Sequence, residues 1–419
     1  MIPTSLEESS GTSSVLPLAL DTMGGDLGPR VQVEGAIRAF KDKSVKSILV
    51  GPENELRDIV SGFGASDLGF RIEHAPDVIE MSAAPAKAVR RKPNSSLCVA
   101  YNLVIEGKAS GILSSGNSGA MMAAGRMICG LLPGIERPAI ATLIPTYGDG
   151  HPNVVIDSGA NVDCHANHLV HFAVMGAIYH SSLFGKVRPR VALLSNGSEP
   201  SKGTDMIRSA SMILSEMEGV NYVGYVEGRD VTSNKTDVVV CDGFVGNVLL
   251  KGMEGCVTLI YKQMLHEARS SIVSRIGFFL AKKALKAVFR GKFDHSAHGG
   301  APLLGLKELA MVLHGSSEAR AVESALLLSD SFVKSGMTRK ITSAMSALEE
   351  QLVDLDGSFV SGMFASGDAM ARNGNGLSVK SRASRKVADH EKNSEEEVAD
   401  IVSQDSEELE REHAKSGLE

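Results

Sequence analysis

The stretch Ser114–Gly125, SSGNSGAMMAAG, follows the apolar run Gly111, Ile112, Leu113 and opens a segment of small residues. An apolar strand, a glycine-serine loop and then a helix form the repeating unit of a parallel α/β sheet. Gly116 and Gly119 let backbone N–H groups approach a ligand, while Ser114, Ser115, Asn117 and Ser118 carry side-chain donors. A helix starting near Ser118 would aim its positive dipole end at the same spot. The loop reads as an anion cradle, and equally as an ordinary strand-to-helix turn.

The same unit recurs from Val15 to about Val333. VLPLAL ends at Asp21, SILV at Gly51, FRIE at His74, GIL at Ser114, VVI at Asp157, VALLS at Asn196, DVVVC at Asp242 and AMVL at His314. Ligands of open α/β sheets sit outside the carboxyl ends of the strands, so these residues are expected to converge on one cleft. Pro29 and Pro52 suit first helical positions, Ser95 or Ser96 a cap, and His165 to His180 a partly buried helix.

Hydrophobic content of 43% indicates a soluble globular chain with a sizeable core. The five cysteines show no CxxC spacing, which points to a reducing compartment and to neither disulfides nor a zinc ribbon. No uninterrupted apolar span reaches the roughly 20 residues of a membrane helix. The start, residues 1–14, lacks a signal peptide's basic and apolar segments and reads as a disordered tail. The net charge of -7 is unevenly spread: Asp389 to Glu419 carries 12 acids against 3 bases, leaving the rest near neutral. Residues 345–419 therefore read as a low-complexity acidic tail with at most one short helix. Low aromatic content and the lack of a basic core argue against nucleic acid.

Five segments carry chemistry. DTMGGDLGP, Asp21 to Pro29, has glycines after a strand but not the G-x-G-x-x-G spacing, and no acid ends the second strand, so a nicotinamide site is disfavoured. Arg90, Arg91 and Lys92 suit a phosphate, a carboxylate or an acidic partner, or simply solvent. In DSGANVDCHANH, Asp157 and Asn161 offer a polar floor; His165, His168 and His171 beside Cys164 invite a metal reading, but the third histidine drifts around the helix, and no metal is expected. In LLSNGSEPSKGTD, Asn196 and Lys202 sit in a loop where a lysine can neutralise an anion or an oxyanion, before a helix starting near Thr204. In CDGFVGNVLLKGMEG, Asp242, Gly243, Gly246 and Asn247 again join strand to helix.

These segments in this order, with GGAPLLGLK from Gly299 and HGSSEARAV from His314, closely resemble the PlsX-type phosphate acyltransferases from about Val15 to Thr338. The resemblance implies a Rossmann-like α/β/α sandwich with a mostly parallel sheet over 15–344, akin to phosphotransacetylases and isopropylmalate dehydrogenases, and usually a homodimer. It implies transfer of a long-chain fatty acyl group from acyl carrier protein to inorganic phosphate, without a cofactor. The acyl phosphate would then serve an acyl phosphate:glycerol-3-phosphate acyltransferase in phospholipid synthesis. Lys202 and Asn247 match the family's catalytic lysine and asparagine. Phosphate is itself nucleophilic, so the protein chiefly holds it against the thioester and stabilises the oxyanion. Lys202 and the Ser114 to Ser118 loop would localise phosphate, Asn247 would donate to the oxyanion or orient phosphate, and Asp157, Asn161 and Asp242 would fix these groups. A phosphotransacetylase-like use of acyl-CoA and a membrane-surface scaffold with a degenerate site remain open.

Residues 269–292 hold seven Lys or Arg and no acid. Part of a projecting amphipathic hairpin at about 262–293, they would present Ile276, Leu280, Lys283, Lys286, Val288 and Arg290 to an anionic membrane, with Gly277 interrupting the helix. A dimer or core contact is the alternative. The resemblance implies peripheral attachment to the inner face of the cell membrane from the cytoplasm. The basic clusters also suit acyl carrier protein, a strongly acidic partner.

Overall fold

The computed structural model describes residues 16–148, 150–287 and 299–354, with backbone alone for Ala284, Lys286, Ala287 and 349–354. The expected tail at 1–14, Val288, Arg290 and residues 355–419 lie outside the described residues.

Strands β1 (Leu18–Asp21) and β2 (Ser47–Gly51) are buried along their whole length, as strands covered on both faces must be. Between them α1 (Pro29–Lys43) begins on a proline, whose missing N–H is harmless in a first turn, and ends at Ser44 in the left-handed region. α2 (Glu53–Gly62), β3 (Arg71–His74), α3 (Pro85–Arg91), α4 (Ser96–Ile105), β4 (Ile112–Ser114) and α5 (Ser118–Ala124) complete the first half. Ser95 caps α4 by accepting from Cys98 N at 3.4 Å, and Asn117 caps α5 by accepting from Ala120 N at 3.0 Å. Pro52 precedes α2 as its N-cap instead of lying in the first turn.

β5 (Ala139–Ile144), β6 (Asn153–Ile156), α6 (Ala166–Phe184), β7 (Arg190–Leu194), α7 (Asp205–Glu216), β8 (Asn221–Val226), β9 (Val238–Val240) and α8 (Gly243–Ser270) follow. The chain then forms α9 (Ile272–Ala287), β10 (Ala301–Leu304), β11 (Ala310–Val312), α10 (Ala319–Ser335) and α11 (Met337–Asp354). The strands form one sheet in the order β3-β2-β1-β4-β11-β10-β5-β6-β9-β7-β8.

Seven of the ten pairings are parallel, so the sheet is mostly parallel as expected. The three exceptions matter more. β10 is antiparallel to both β11 and β5, and β5 is antiparallel to β6. These reversals set β6, β7, β8 and β9 against the direction of β1, β2, β3, β4 and β11. Asp21, Ser114 and His314 therefore leave one end of the sheet, and Asp157, Asn196 and Asp242 leave the other.

Helices cover both faces. Val33 and Ala36 of α1, Phe172 of α6, Leu326 of α10 and Met345 of α11 share one buried cluster, while Tyr101 of α4 and Met121 of α5 belong to another. Tyr101 donates its hydroxyl to Met121 O at 2.9 Å, which satisfies it inside the core. The tail boundary at 345 is also corrected: it falls inside α11, where Met345 and Leu348 are buried.

The segment expected as a hairpin from 262 is the outer part of α8, a 28-residue helix that starts at Gly243. Ser271, extended at φ -147°, separates it from α9, which runs unbroken through Gly277. Among the described residues α8 is the one helix long and apolar enough, by length and composition, to cross a membrane.

Candidate active site

The loops that follow β6, β9 and β7 emerge from neighbouring strands, so Asp157, Asp242 and Asn196 stand side by side at one sheet end. Asp157 is fully buried and organises the first loop. Its Oδ1 accepts from Ile140 N, Gly159 N and Ala160 N at 3.1, 3.0 and 2.9 Å, and its Oδ2 accepts from Asn161 N and Nδ2 at 2.7 and 2.8 Å. Burial raises its pKa and the N–H donors pull the other way. With every bond arriving from an N–H, the carboxylate is a scaffold for residues 157–161 and no base for chemistry.

α8 starts directly against this scaffold. Asp242 caps it, accepting from Val245 N at 2.9 Å. A Cβ at Gly246 would lie 2.0 Å from Asp157 O, and one at Gly243 would lie 2.7 Å from Asn161 N and O, so glycine is required at both. Gly243, Gly246 and Asn247 share one helix face by their i, i+3, i+4 spacing, and Asn247 sits over Gly159. Its carboxamide is half-buried and makes no hydrogen bond among the described residues. Cys241 lies beneath, its thiol donating to Asp157 O at 3.5 Å; burial pushes its pKa far up, so it is no ready nucleophile.

Lys202 belongs to the loop after β7. Asn196 closes that loop by accepting from Gly203 N at 2.9 Å, and Gly203 turns at φ 82°. Thr204 caps α7 by accepting from Ile207 N at 3.4 Å. The Lys202 ammonium is exposed and without an ion-pair partner among the described residues, its stem lying against Gly197. Asn196 is thus a loop-closing residue, and Lys202 is the group left free.

The glycine-serine loop is built differently from the sequence expectation. Ser114 Oγ donates to Asp21 Oδ2 at 2.6 Å and accepts from Gly116 N at 3.0 Å. Ser115 Oγ donates to Gly24 O at 3.1 Å, and Asn117 Nδ2 donates to Met81 O and Ala83 O at 2.8 and 3.1 Å. These side chains hold the loop and leave Ser118 as its exposed, unpartnered hydroxyl among the described residues. Sequence reasoning missed Gln32, whose Nε2 donates to Ser115 Oγ at 2.6 Å while its Oε1 stays buried and unpartnered. One signal was available, a polar residue on the apolar face that α1 forms with Val33 and Ala36.

Arg90 and Arg91 end α3, exposed and unpaired among the described residues, and α3 packs on α5. Lys92 is occupied, donating to Val78 O at 2.6 Å and meeting Glu80 at 3.4 Å. His168 accepts from His165 N at 3.0 Å and meets Glu136 at 3.0 Å, so both ring nitrogens are engaged. The described residues hold no group of three metal-ligating side chains. Among the described residues no hydrogen bond joins the Ser114 loop to Asn247 or Lys202; Ala160, however, packs against the apolar cluster that includes α5.

Residues 16–340 match the model of a family described as fatty acid synthesis protein. The chain is 41% identical over 337 residues to a phosphate acyltransferase of Syntrophotalea carbinolica, covering 80% of this chain and 96% of the relative. It is 43% identical over 328 residues to a phosphate acyltransferase of Geobacter sulfurreducens, covering 78% and 94%. Among solved structures, a phosphotransacetylase from Streptococcus pyogenes superposes with TM-score 0.52 at 18% identity, over 77% of this chain and 94% of that one, a likeness of fold.

Proposed function

We infer that this chain, which belongs to the fatty acid synthesis protein family and is a phosphate acyltransferase, moves a long-chain fatty acyl group from acyl carrier protein to inorganic phosphate. The observation that carries the mechanism is a pair of unengaged donors, the Lys202 ammonium and the Asn247 carboxamide, on loops from one end of the sheet. A phosphate oxygen attacks the thioester carbonyl carbon, and the carbonyl becomes an oxyanion. Lys202 neutralises phosphate, and Asn247 donates to the oxyanion or to phosphate. Collapse of the intermediate breaks the C–S bond; the thiolate leaves on the carrier and takes a proton from solvent. No residue is acylated, which agrees with the buried, raised thiol of Cys241 and the fully engaged Asp157.

The Ser114 to Ser118 loop contributes its free Ser118 and its backbone, while Arg90 and Arg91 offer an exposed basic surface to an acidic carrier protein. The decisive experiment is phosphate-dependent thiol release from acyl carrier protein thioesters. Lys202→Ala should lower turnover by about a hundredfold; an unchanged rate would overturn its assignment. Faster reaction with acyl-CoA thioesters would instead favour the phosphotransacetylase-like reading.

Attachment to a membrane surface is supported by α9. Ile276 and Leu280 are 58% and 77% exposed, Ile272, Val273, Phe279 and the basic Lys283 share their half of the helix, and Arg275 and Lys282 flank it on one side. The same apolar face would serve a homodimer. Ile276→Asp with Leu280→Asp should abolish co-sedimentation with anionic vesicles; persistence of binding counts against the membrane role.

A further inference from the structure

A cavity lies at the opposite end of β4 from the Ser114 loop. It has a volume of about 220 Å³ and is bounded by the residues entering β4 and β11 and by the turn from α10 into α11. That is roughly seven water volumes, room for a short chain and little more. Leu309, Phe332, Val333 and Met337 give it an apolar wall. Lys307 and Arg339 stand at it, both exposed and neither with an ion-pair partner among the described residues. Arg339 folds its guanidinium over Gly336, where a Cβ would meet Nη2 at 3.1 Å. Ser110 Oγ is occupied by Leu16 O at 2.8 Å, so the two cations are the positively charged groups the cavity offers a ligand.

We propose that this cavity binds a short-chain monocarboxylate of about six carbons, its carboxylate between Lys307 and Arg339 and its alkyl chain against Leu309, Phe332, Val333 and Met337. The class follows from the lining. The guanidinium and ammonium match one anionic head, and the apolar wall excludes a hydrated dianion such as phosphate, which would bury its charge against carbon. The volume excludes a long chain. Glu308 also lines the cavity, half-buried and without a hydrogen bond or ion pair among the described residues. Burial raises its pKa above the usual carboxylate value, which lessens its repulsion of a bound anion. The cavity and the catalytic loops share no residue, so binding here is separable from the transfer reaction.

Titration calorimetry of the full chain with hexanoate, acetate, decanoate, hexanol and inorganic phosphate tests this. Hexanoate should bind with a dissociation constant below about 1 mM. Acetate, decanoate and hexanol should each bind at least about tenfold more weakly, for lack of chain, room and charge respectively. The double variant Lys307→Gln, Arg339→Gln should lose at least about tenfold in hexanoate affinity. Both residues are exposed and unpaired, so its melting temperature should match the parent's, and Lys202→Ala should bind hexanoate as the parent does. No saturable binding by the parent, equal affinity in the double variant, phosphate binding that the double variant abolishes, or loss of hexanoate binding in Lys202→Ala would each overturn the proposal.

Discussion

At the scale of residues, the site is divided between groups that hold and groups left free. Gly246 is the tightest of the former. A methyl group 2.0 Å from Asp157 O forces the helix start or the loop to move, and the listener to that motion is Asn247, one residue on. Gly246→Ala should destabilise the chain by about 3 kcal/mol in urea unfolding and lower turnover together with it. Asp157→Asn keeps the shape but turns an amide NH2 towards N–H donors that now meet a carboxylate. It should cost about 2 to 4 kcal/mol, leaving buried donors unsatisfied; a variant as stable as the parent would show that Asp157 is not the scaffold described. Asn247→Ala, by contrast, removes a side chain without a hydrogen-bond partner among the described residues, so its melting temperature should hold while turnover falls by about a hundredfold.

At the scale of elements, one helix and one strand pair carry testable electrostatics. Asp237 ties the entry of β9 to that of β7, accepting from Arg190 N at 2.6 Å and from Lys186 Nζ at 2.6 Å. Burial raises its pKa, but the Arg190 and Lys186 bonds outweigh this and hold it well below the usual carboxylate range. A depressed carboxylate stabilises above its unfolded pKa, about 4, and loses that contribution as pH falls further. Asp237→Asn should therefore melt below the parent at pH 7, with the gap closing as the pH is lowered under about 4. In α6, burial lowers His171 and His180 to about 4. The unfolded chain takes up those protons first, so folding stability should fall as pH drops from about 6.5 towards 4, and His171→Phe should flatten that slope. α6 was legible in the sequence, from His165 onward; that its histidines are uncharged core residues follows from the burial that the sheet and α11 impose.

At the scale of the whole molecule, a chain ending at Asp354 should keep the parent's turnover and melting temperature, since the described core closes with Met345 and Leu348 of α11. Loss of either property would give residues 355–419 a part in fold or catalysis. The sequence by itself determined the alternation of strand and helix, the eight strand ends, the helix starts near Ser95 or Ser96 and near Thr204, and the segments that bear Lys202 and Asn247. All of these are local: apolar runs, capping residues and glycines act through neighbours a few positions away. Only the tertiary structure decided the direction of each strand. β5 and β10 end on apolar Ile144 and Leu304 and carry no local mark of their direction, yet their antiparallel pairing reverses half the sheet. That reversal separates Ser114 from Asn247 at the level of the sheet, and hydrogen bonding decides the rest. Ser114, Ser115 and Asn117 look like ligand donors in sequence, but buried loops must satisfy their own polar groups first, and only the fold shows which donors remain.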